Sequence, residues 1–482
     1  MAAHPQTEAL RSPGLPRRAF ARLGEVRPIR AAVALVGTAA IVVMALVALR
    51  LVTAAPANPK LLVPSGRHGM PGWMAGPFSG WNSGRIGFHE LNRLIILMAA
   101  LYVLVLLCSR WIPAWIAIAG AALLVALFTL APPMFSTDIF NYVAYARMGA
   151  LYHVNPYVHG AIAIAGDPSV RLTGPMWLHT PTDYGPLFTL LSYVFVPLGV
   201  AGAMWALKAA AGLAALGCAA LIWASARRLG LRPVPAMLFF VLNPLLLIYA
   251  IGGGHNDVLM ALPLIAGALL ILDGKPELGG AALMAAVAIK VTAGLVLPFV
   301  LVASSQRWRI LLGAALAAVA VAVLALAAFG PHVLSVLNLL QHHDQFTKPL
   351  SNVPGYLGYV LGQGPLTPAR HHTFQLVFDA GALLLLGVAW RRRDWLAAGA
   401  GALLLLVATL GWMLPWYVVW VLPLAPLARR RWVPVGVMAL TAVVLAIQIH
   451  IYDGHGERLE RLHAHVHPQA GLPGPRLLER GG

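Results

Sequence analysis

The chain has 482 residues, of which 60% are hydrophobic and 10% charged, and its mean hydropathy is +0.78, whereas soluble domains carry roughly 25% charged residues. A soluble fold is excluded, and apolar blocks recurring from Ala31 to Ile451 leave no polar stretch long enough to fold separately, so one membrane domain is expected. Lysine and arginine outnumber acidic residues 34 to 16, but they lie in short clusters beside apolar runs, where they orient helices in a membrane rather than bind nucleic acid.

The basic stretch 1–30, with Arg17, Arg18, Arg22, Arg27 and Arg30, precedes the apolar run Ala31 to Ala55. That run exceeds the ~7–15-residue apolar region of a cleaved leader, so it reads as a retained anchor with the basic stretch in the cytoplasm. A spanning helix needs about 20 apolar residues, and short loops rich in Lys and Arg stay cytoplasmic. Leu94 to Cys108 then returns to the cytoplasm at Arg110, and Ile112 to Leu130 leads out, placing residues 131–185 outside. Cys108 and Cys218 lie within or at the end of apolar runs and read as packing residues rather than a disulfide or zinc pair.

Counting every later apolar run as a full crossing puts Arg227 and Arg228 outside, against the charge rule. Two runs are therefore expected not to cross. Pro186 to Gly199 reads as a short interfacial helix or re-entrant element, and Gly279 to Ser304 as two half-helices meeting at Lys290. With both exceptions, Arg227/Arg228, Lys275, Arg307/Arg309, Arg391 to Arg393 and Arg429 to Arg431 all fall in the cytoplasm. The loops around His255, Lys290, His342 and Trp416 fall on the other side. The expected fold is an all-α polytopic membrane domain over residues 31–451, with about 11–13 transmembrane helices. Residues 131–185 and 330–372 are its extracytoplasmic loops, with juxtamembrane helices on that side, and 452–482 is a polar tail expected to be disordered.

An ionisable side chain at membrane depth costs several kcal/mol unless paired or wetted, so each one is a functional candidate. Asp138 directly follows a span, with Tyr142, Tyr145 and Arg147 at helical spacing and Tyr142 on the same face at i+4. Asp138 serves either as a helix cap or as a carboxylate for chemistry, and one residue can do both. Trp177 to Pro186, with His179 and Tyr184, offers aromatic and polar groups to a sugar, or forms an aromatic belt with a proline turn. Gly252 to Asp257 joins three glycines, which permit close backbone approach, to His255, Asn256 and Asp257; a tight capped turn is the plain alternative. Lys290 interrupts an apolar run, and either snorkels or presents a cation to an anion such as a lipid phosphate. His342-His343-Asp344, with His371-His372, has ligand-type residues without metal-site spacing, so a divalent cation is the one cofactor left open. The tail histidines His455, His463, His465 and His467 read as solvated tail.

At these places the sequence resembles the polyprenol-phosphate-mannose-dependent alpha-1,6-mannosyltransferases of actinobacterial lipoglycan synthesis, within the C-type glycosyltransferase superfamily. The matching stretches are Ser136 to Tyr142, Asn155 to Tyr157, Trp177 to Pro186, Asn243 to Leu245 leading to Gly253 to Asp257, Lys290 to Pro298, and Pro415 to Tyr417 with Trp420. They run in the expected order and cover Pro132 to about Leu424, and the Gly-Gly-His-Asn-Asp and Tyr-Gly-Pro stretches are the specific ones.

The resemblance implies a C-type glycosyltransferase-like bundle with its catalytic carboxylate on an early extracytoplasmic loop. It implies a polyprenyl-phosphate sugar as donor, a lipid-linked glycan as acceptor, membrane lipid around both, and no nucleic acid. Inverting transfer then needs one base, Asp138, to take the acceptor proton. Cations are needed where phosphate charge develops, and Lys290, Arg147 and His255 are the candidates. Asn256 or Asp257 would orient His255 or a sugar hydroxyl. Tyr142, Trp177, His179, Tyr184, Trp416 and Tyr417 would contact the sugar, acceptor or lipid. Two alternatives share the composition: a transferase using another polyprenyl-phosphate sugar, and a lipid or glycolipid transporter, which also uses broken helices.

Overall fold

A computed structural model describes residues 17–58, 61–63, 70–78, 80–81, 84–341 and 351–452. His342-His343-Asp344 and the four tail histidines lie outside these residues, as does the tail beyond Tyr452. Among the described residues the regular structure is helical. It comprises α1 (Arg17–Ala54), α2 (Phe88–Cys108), α3 (Ala114–Leu130), α4 (Asp138–Tyr152), α5 (Pro186–Tyr193), α6 (Gly199–Arg228), α7 (Pro233–Val241) and α8 (Asp257–Leu272). It continues with α9 (Pro276–Ile289), α10 (Val296–Ala303), α11 (Arg307–Phe329), α12 (Val353–Val360), α13 (Pro368–Arg392), α14 (Trp395–Thr409) and α15 (Trp432–Tyr452). A π-helical turn, Leu245–Ile251, follows α7.

Among the described residues, six helical stretches are long and apolar enough to cross a membrane: Pro28–Ala57, Phe88–Cys108, Val196–Arg228, Arg307–Ser335, Pro368–Arg392 and Trp432–Ile451. The pair of α7 and the π-helical turn, bent by 46°, makes a seventh. Shorter apolar helices, α3, α8, α9 and α14 among them, fill the bundle between these spans. The chain is thus an all-α polytopic membrane protein. One core runs from Ala40 in α1 to Ile447 in α15. Two small clusters, one under Tyr145 and Met148 and one joining Tyr157 to Phe329, pack residues 153–185 onto the bundle.

The two runs expected not to cross are short in the structure. Pro186 pre-sets the first turn of α5, which spans eight residues before a single turn at Val196–Leu198 and the positive-φ Gly199 (φ 70°). At 1.5 Å per residue, that helix is about 12 Å long, less than half a bilayer core. Gly279 to Ser304 breaks at Lys290, whose backbone is extended (φ −150°, ψ 121°) between α9 and a one-turn segment leading into α10. The Gly185 N–H donates to the Ile289 carbonyl at 3.0 Å, supplying an outside partner at a helix end where carbonyls lose their own. A Cβ on Gly185 would lie 2.1 Å from the Ala288 carbonyl oxygen, so only glycine can approach this closely.

The basic clusters meet at one end of the bundle. Arg228 pairs with Asp273 at 3.1 Å, and Arg309 at the start of α11 pairs with Glu277 at the start of α9, so the broken segment begins and ends together. Arg393 donates to the Ala303 carbonyl, Arg429 donates to the Leu229 carbonyl, and Arg430 approaches Asp394 at 3.8 Å.

Candidate active site

At the other end, four segments distant in sequence converge on Asp138. The chain leaves α3 through Met134 and Phe135, whose N–H groups donate to the Gly252 and Leu62 carbonyls at 2.9 and 2.8 Å. Phe135 adopts φ 61°, a conformation unfavourable to a bulky residue, and the turn it makes delivers Asp138 to the start of α4. Thr137 is the N-cap and makes no side-chain capping bond. The Asp138 amide donates to Ser136 Oγ at 3.1 Å. Asp138 is 8% exposed. Burial, reinforced by the nearby carboxylates Asp183 and Asp257 against the opposing influence of Ser136 and Lys290, pushes its pKa up to about 7.

The glycine-rich stretch comes next. Gly254 has φ 72°, and a Cβ there would meet Ile139 at 2.6 Å, so α4 packs directly on this backbone. Asn256 is the N-cap of α8 without a side-chain capping bond; the polar side chains of this stretch are used elsewhere. His255 Nδ1 lies 3.6 Å from Asp138 Oδ2, and the imidazole stacks on Trp416 with ring centroids 3.5 Å apart and 18° between planes. Burial, with Lys290 and Lys208 nearby, holds His255 well below its ordinary pKa, and so neutral. Tyr142 reaches Asn256 Oδ1 at 3.5 Å. Its ring packs edge-on against Tyr184 and Phe188.

Lys290 Nζ donates to Asp257 Oδ1 at 2.7 Å, and the indole N–H of Trp420 donates to the same oxygen. The ammonium lies 5.0 Å from the Tyr417 ring centroid and 5.3 Å from that of Trp420, two rings stacked on each other, a cation–π arrangement. The Lys290 break therefore aims one cation into an aromatic wall and a buried carboxylate. Several buried polar atoms here have no hydrogen-bond partner among the described residues: both His255 ring nitrogens, Asn256 Nδ2 and Asp257 Oδ2. Each such group costs roughly 1–3 kcal/mol, and together they suit a polyhydroxylated ligand.

The structure brings Asp138, Tyr142, Tyr184, His255, Asn256, Asp257, Lys290, Trp416 and Tyr417 into one cluster. Arg147 is engaged elsewhere. Its guanidinium forms a bidentate pair with Asp167, Nε donating to Oδ1 at 3.0 Å and Nη2 to Oδ2 at 2.7 Å, and the carboxylate also accepts from Tyr152 and Ser169. Burial opposes ionisation of Asp167, but these partners bring its pKa down to about 2. Trp177 stacks on Trp412 at 5.8 Å, with Gly174 between it and Thr137. His179 is exposed, its backbone packed against Gly160. His371, near the start of α13, lies 2.8 Å from Gln375 through its Nε2. Among the described residues no group of three or more His, Cys, Asp or Glu is placed to hold a metal ion.

Four residues join the site without having been singled out as contacts: Asp183 beside Asp138, Trp420 on Asp257, Trp412 on Trp177, and Lys208. Lys208 is fully buried in α6 and donates to the Phe128 and Gly252 carbonyls at 3.0 and 2.7 Å, tying the end of α3 to the glycine-rich stretch. A lone lysine in an apolar helix is the same signal that marked Lys290.

A helical membrane protein with a buried carboxylate, a neutral imidazole and an ammonium under indole and phenol rings at one end of the bundle is the class that fold and site define. The chain belongs to the alpha-(1->6)-mannopyranosyltransferase family, whose model, described as the N-terminal domain, matches residues 34–306. It is 32% identical over 354 residues to alpha-(1->6)-mannopyranosyltransferase A of Mycobacterium tuberculosis, covering 66% of each chain. It is 34% identical over 179 residues to the protein of that name from Corynebacterium glutamicum, covering 35% of each. To alpha-(1->6)-mannopyranosyltransferase B of Corynebacterium glutamicum it is 25% identical over 358 residues, 65% of this chain and 59% of the relative. The matches thus span 66%, 35% and 59% of the lengths of these three relatives, less than two thirds in each case. No solved structure matches.

Proposed function

We propose that the protein is an inverting glycosyltransferase that moves a mannosyl residue from polyprenyl-phosphate mannose to a lipid-linked mannan or similar glycan, forming alpha-1,6 linkages on the extracytoplasmic face of the cell membrane. The observation that carries this reading is the convergence of Asp138, His255, Asp257 and Lys290 from three segments beneath a fourth that carries Trp416, Tyr417 and Trp420. The names of the relatives support mannosyl transfer. The outward face is supported by the gathering of the arginine clusters at the opposite end, since short Arg-rich loops stay in the cytoplasm.

Asp138 is the base. It takes the proton of the acceptor hydroxyl as that oxygen bonds to the anomeric carbon, and the bond from that carbon to the phosphate oxygen breaks with inversion. A carboxyl with a pKa near 7 is matched to this task, being ionised in part at neutral pH and a stronger base than an exposed aspartate. The departing phosphate monoester needs positive charge more than a proton. An ammonium has three donors, of which Asp257 takes one from Lys290, leaving the others for the donor phosphate. With Arg147 bonded to Asp167, the phosphate role rests on Lys290. His255, neutral and held flat by Trp416 at 3.6 Å from the Asp138 carboxylate, keeps both ring nitrogens open to the ligand, and Asn256, Asp257, Tyr142 and Tyr184 line the sugar side. Trp177 with Trp412 offers an aromatic platform at the mouth for the acceptor.

Membranes containing the protein, incubated with radiolabelled polyprenyl-phosphate mannose, should transfer label to a lipid-linked glycan. Label transfer only from a nucleotide sugar, or from a polyprenyl-phosphate sugar other than mannose, would overturn the donor assignment.

A further inference from the structure

We infer that the arginine-rich end of the bundle holds a second binding site, a cavity that takes the phosphate headgroup of an anionic membrane lipid. A cavity of about 300 Å³ opens there, with Arg392 and Arg393 at the end of α13 on one side and Arg429 and Arg430 before α15 on the other. Four guanidinium groups face one carboxylate, Asp394, which already accepts the Ala397 amide as the cap of α14 and lies 3.8 Å from Arg430. Arg429 and Arg393 are steadied by the Leu229 and Ala303 carbonyls at 3.1 and 3.2 Å. Arg392 makes no ion pair or side-chain hydrogen bond among the described residues. The cavity therefore presents organised guanidinium donors with a net positive charge, the geometry that suits phosphate oxygens.

Three further observations point to a ligand and to its source. Arg393 sits at φ 54°, the left-handed position after a helix where glycine costs least, and so carries a long charged side chain at a place that favours none. Trp390, one turn before Arg393 on α13, is 62% exposed, and Leu383 and Leu384, about two turns further back, also face outward, a pattern that marks a lipid–water boundary close to the cavity's arginines. The remaining wall is apolar, with Leu272, Leu427 and Trp395, and suits the glycerol and upper acyl carbons of a lipid better than a fully hydrated anion. Basic pockets between helices at this side of a membrane bind lipid headgroups by the same chemistry.

The test measures retention of radiolabelled phosphatidylglycerol and phosphatidylcholine by the purified full-length protein through gel filtration in detergent. The wild type should retain phosphatidylglycerol selectively, and Arg392→Gln should lower that retention about fivefold, with Arg392→Gln/Arg430→Gln lowering it further. Arg110→Gln, an equal loss of charge on the α2–α3 loop away from the cavity, should change it less than about twofold. Equal losses in Arg110→Gln and Arg392→Gln, or no preference for phosphatidylglycerol, would overturn the site. Displacement of the label by inorganic phosphate as completely as by unlabelled phosphatidylglycerol would assign the cavity to a soluble phosphate ester and overturn the lipid.

Discussion

The two ends of the bundle handle charge in opposite ways. Near Asp138 the charged groups are buried and few: Asp257 is fully buried, and the Lys290 side chain that pairs with it is 16% exposed. At the arginine-rich end the pairs are open to solvent, with Arg228 and Asp273 exposed by 58% and 41%. A buried pair contributes little net stability but is costly to half-break, because the remaining charge is left unsolvated. An exposed pair gains little and loses little. The first arrangement suits the proposed chemistry, which needs groups held in place, and the second suits the proposed orientation, which short exposed arginine clusters can set at little energetic consequence.

That contrast can be broken experimentally in order of expected effect. Asp138→Asn keeps the shape of a side chain already poised near neutrality but removes the base, and should lower transfer from polyprenyl-phosphate mannose in membranes by about 10²–10⁴-fold. Retained turnover would remove Asp138 from that role. Lys290→Met strands the Asp257 carboxylate and should destabilise the protein by about 3–5 kcal/mol in a thermal or denaturant assay. Lys290→Met/Asp257→Asn should recover most of that stability without recovering the response to donor concentration, which separates support of the fold from donor binding. Gly185→Ala forces a methyl against the Ala288 carbonyl and should cost about 1–3 kcal/mol of stability. Arg228→Ala should shift stability by less than about 1 kcal/mol, an effect that fades further in high salt.

The pH response follows from Asp138. Its pKa in the folded protein is raised to about 7, so below that pH the carboxyl is increasingly protonated and cannot accept the acceptor's proton. Transfer should rise with pH, steeply below about 7, and flatten above it. A profile already flat at pH 5 would mean that a group with an ordinary carboxylate pKa does the work.

Features carried by local chain chemistry were legible in the sequence. The break at Lys290 follows from a cation within an apolar run, the shortness of the Pro186 helix from its prolines, and the gathering of the arginine clusters from charge parity along the chain. Asp138, His255 and Lys290 were each recognisable as ionisable groups too costly to leave in an apolar setting without a purpose. Pairings between distant segments were not legible. Arg147 looked available because its partner Asp167 lies twenty residues on, in a loop without periodicity, and nothing local indicates the bidentate bond. Lys290 looked like a free cation because Asp257 and Trp420 reach it only through the folded bundle. Lys208 showed the same signal as Lys290 but lies in a continuous helix, where the three carbonyls it bonds are contributed by α3, the end of the π-helical turn and Gly252 of the glycine-rich stretch.

The single oxygen of Asp257 that holds both Lys290 and Trp420 has a consequence for the catalytic cycle of such a transferase. In the proposed cycle an arriving lipid phosphate would meet not a bare cation but an ammonium that already donates to a resident carboxylate. Affinity for the donor is thereby tempered, and so is affinity for the phosphate left behind, which carries more charge and would otherwise be the tighter ligand. In that cycle the carboxylate would keep the lysine partnered as the product departs, which would favour repeated turnover over retention.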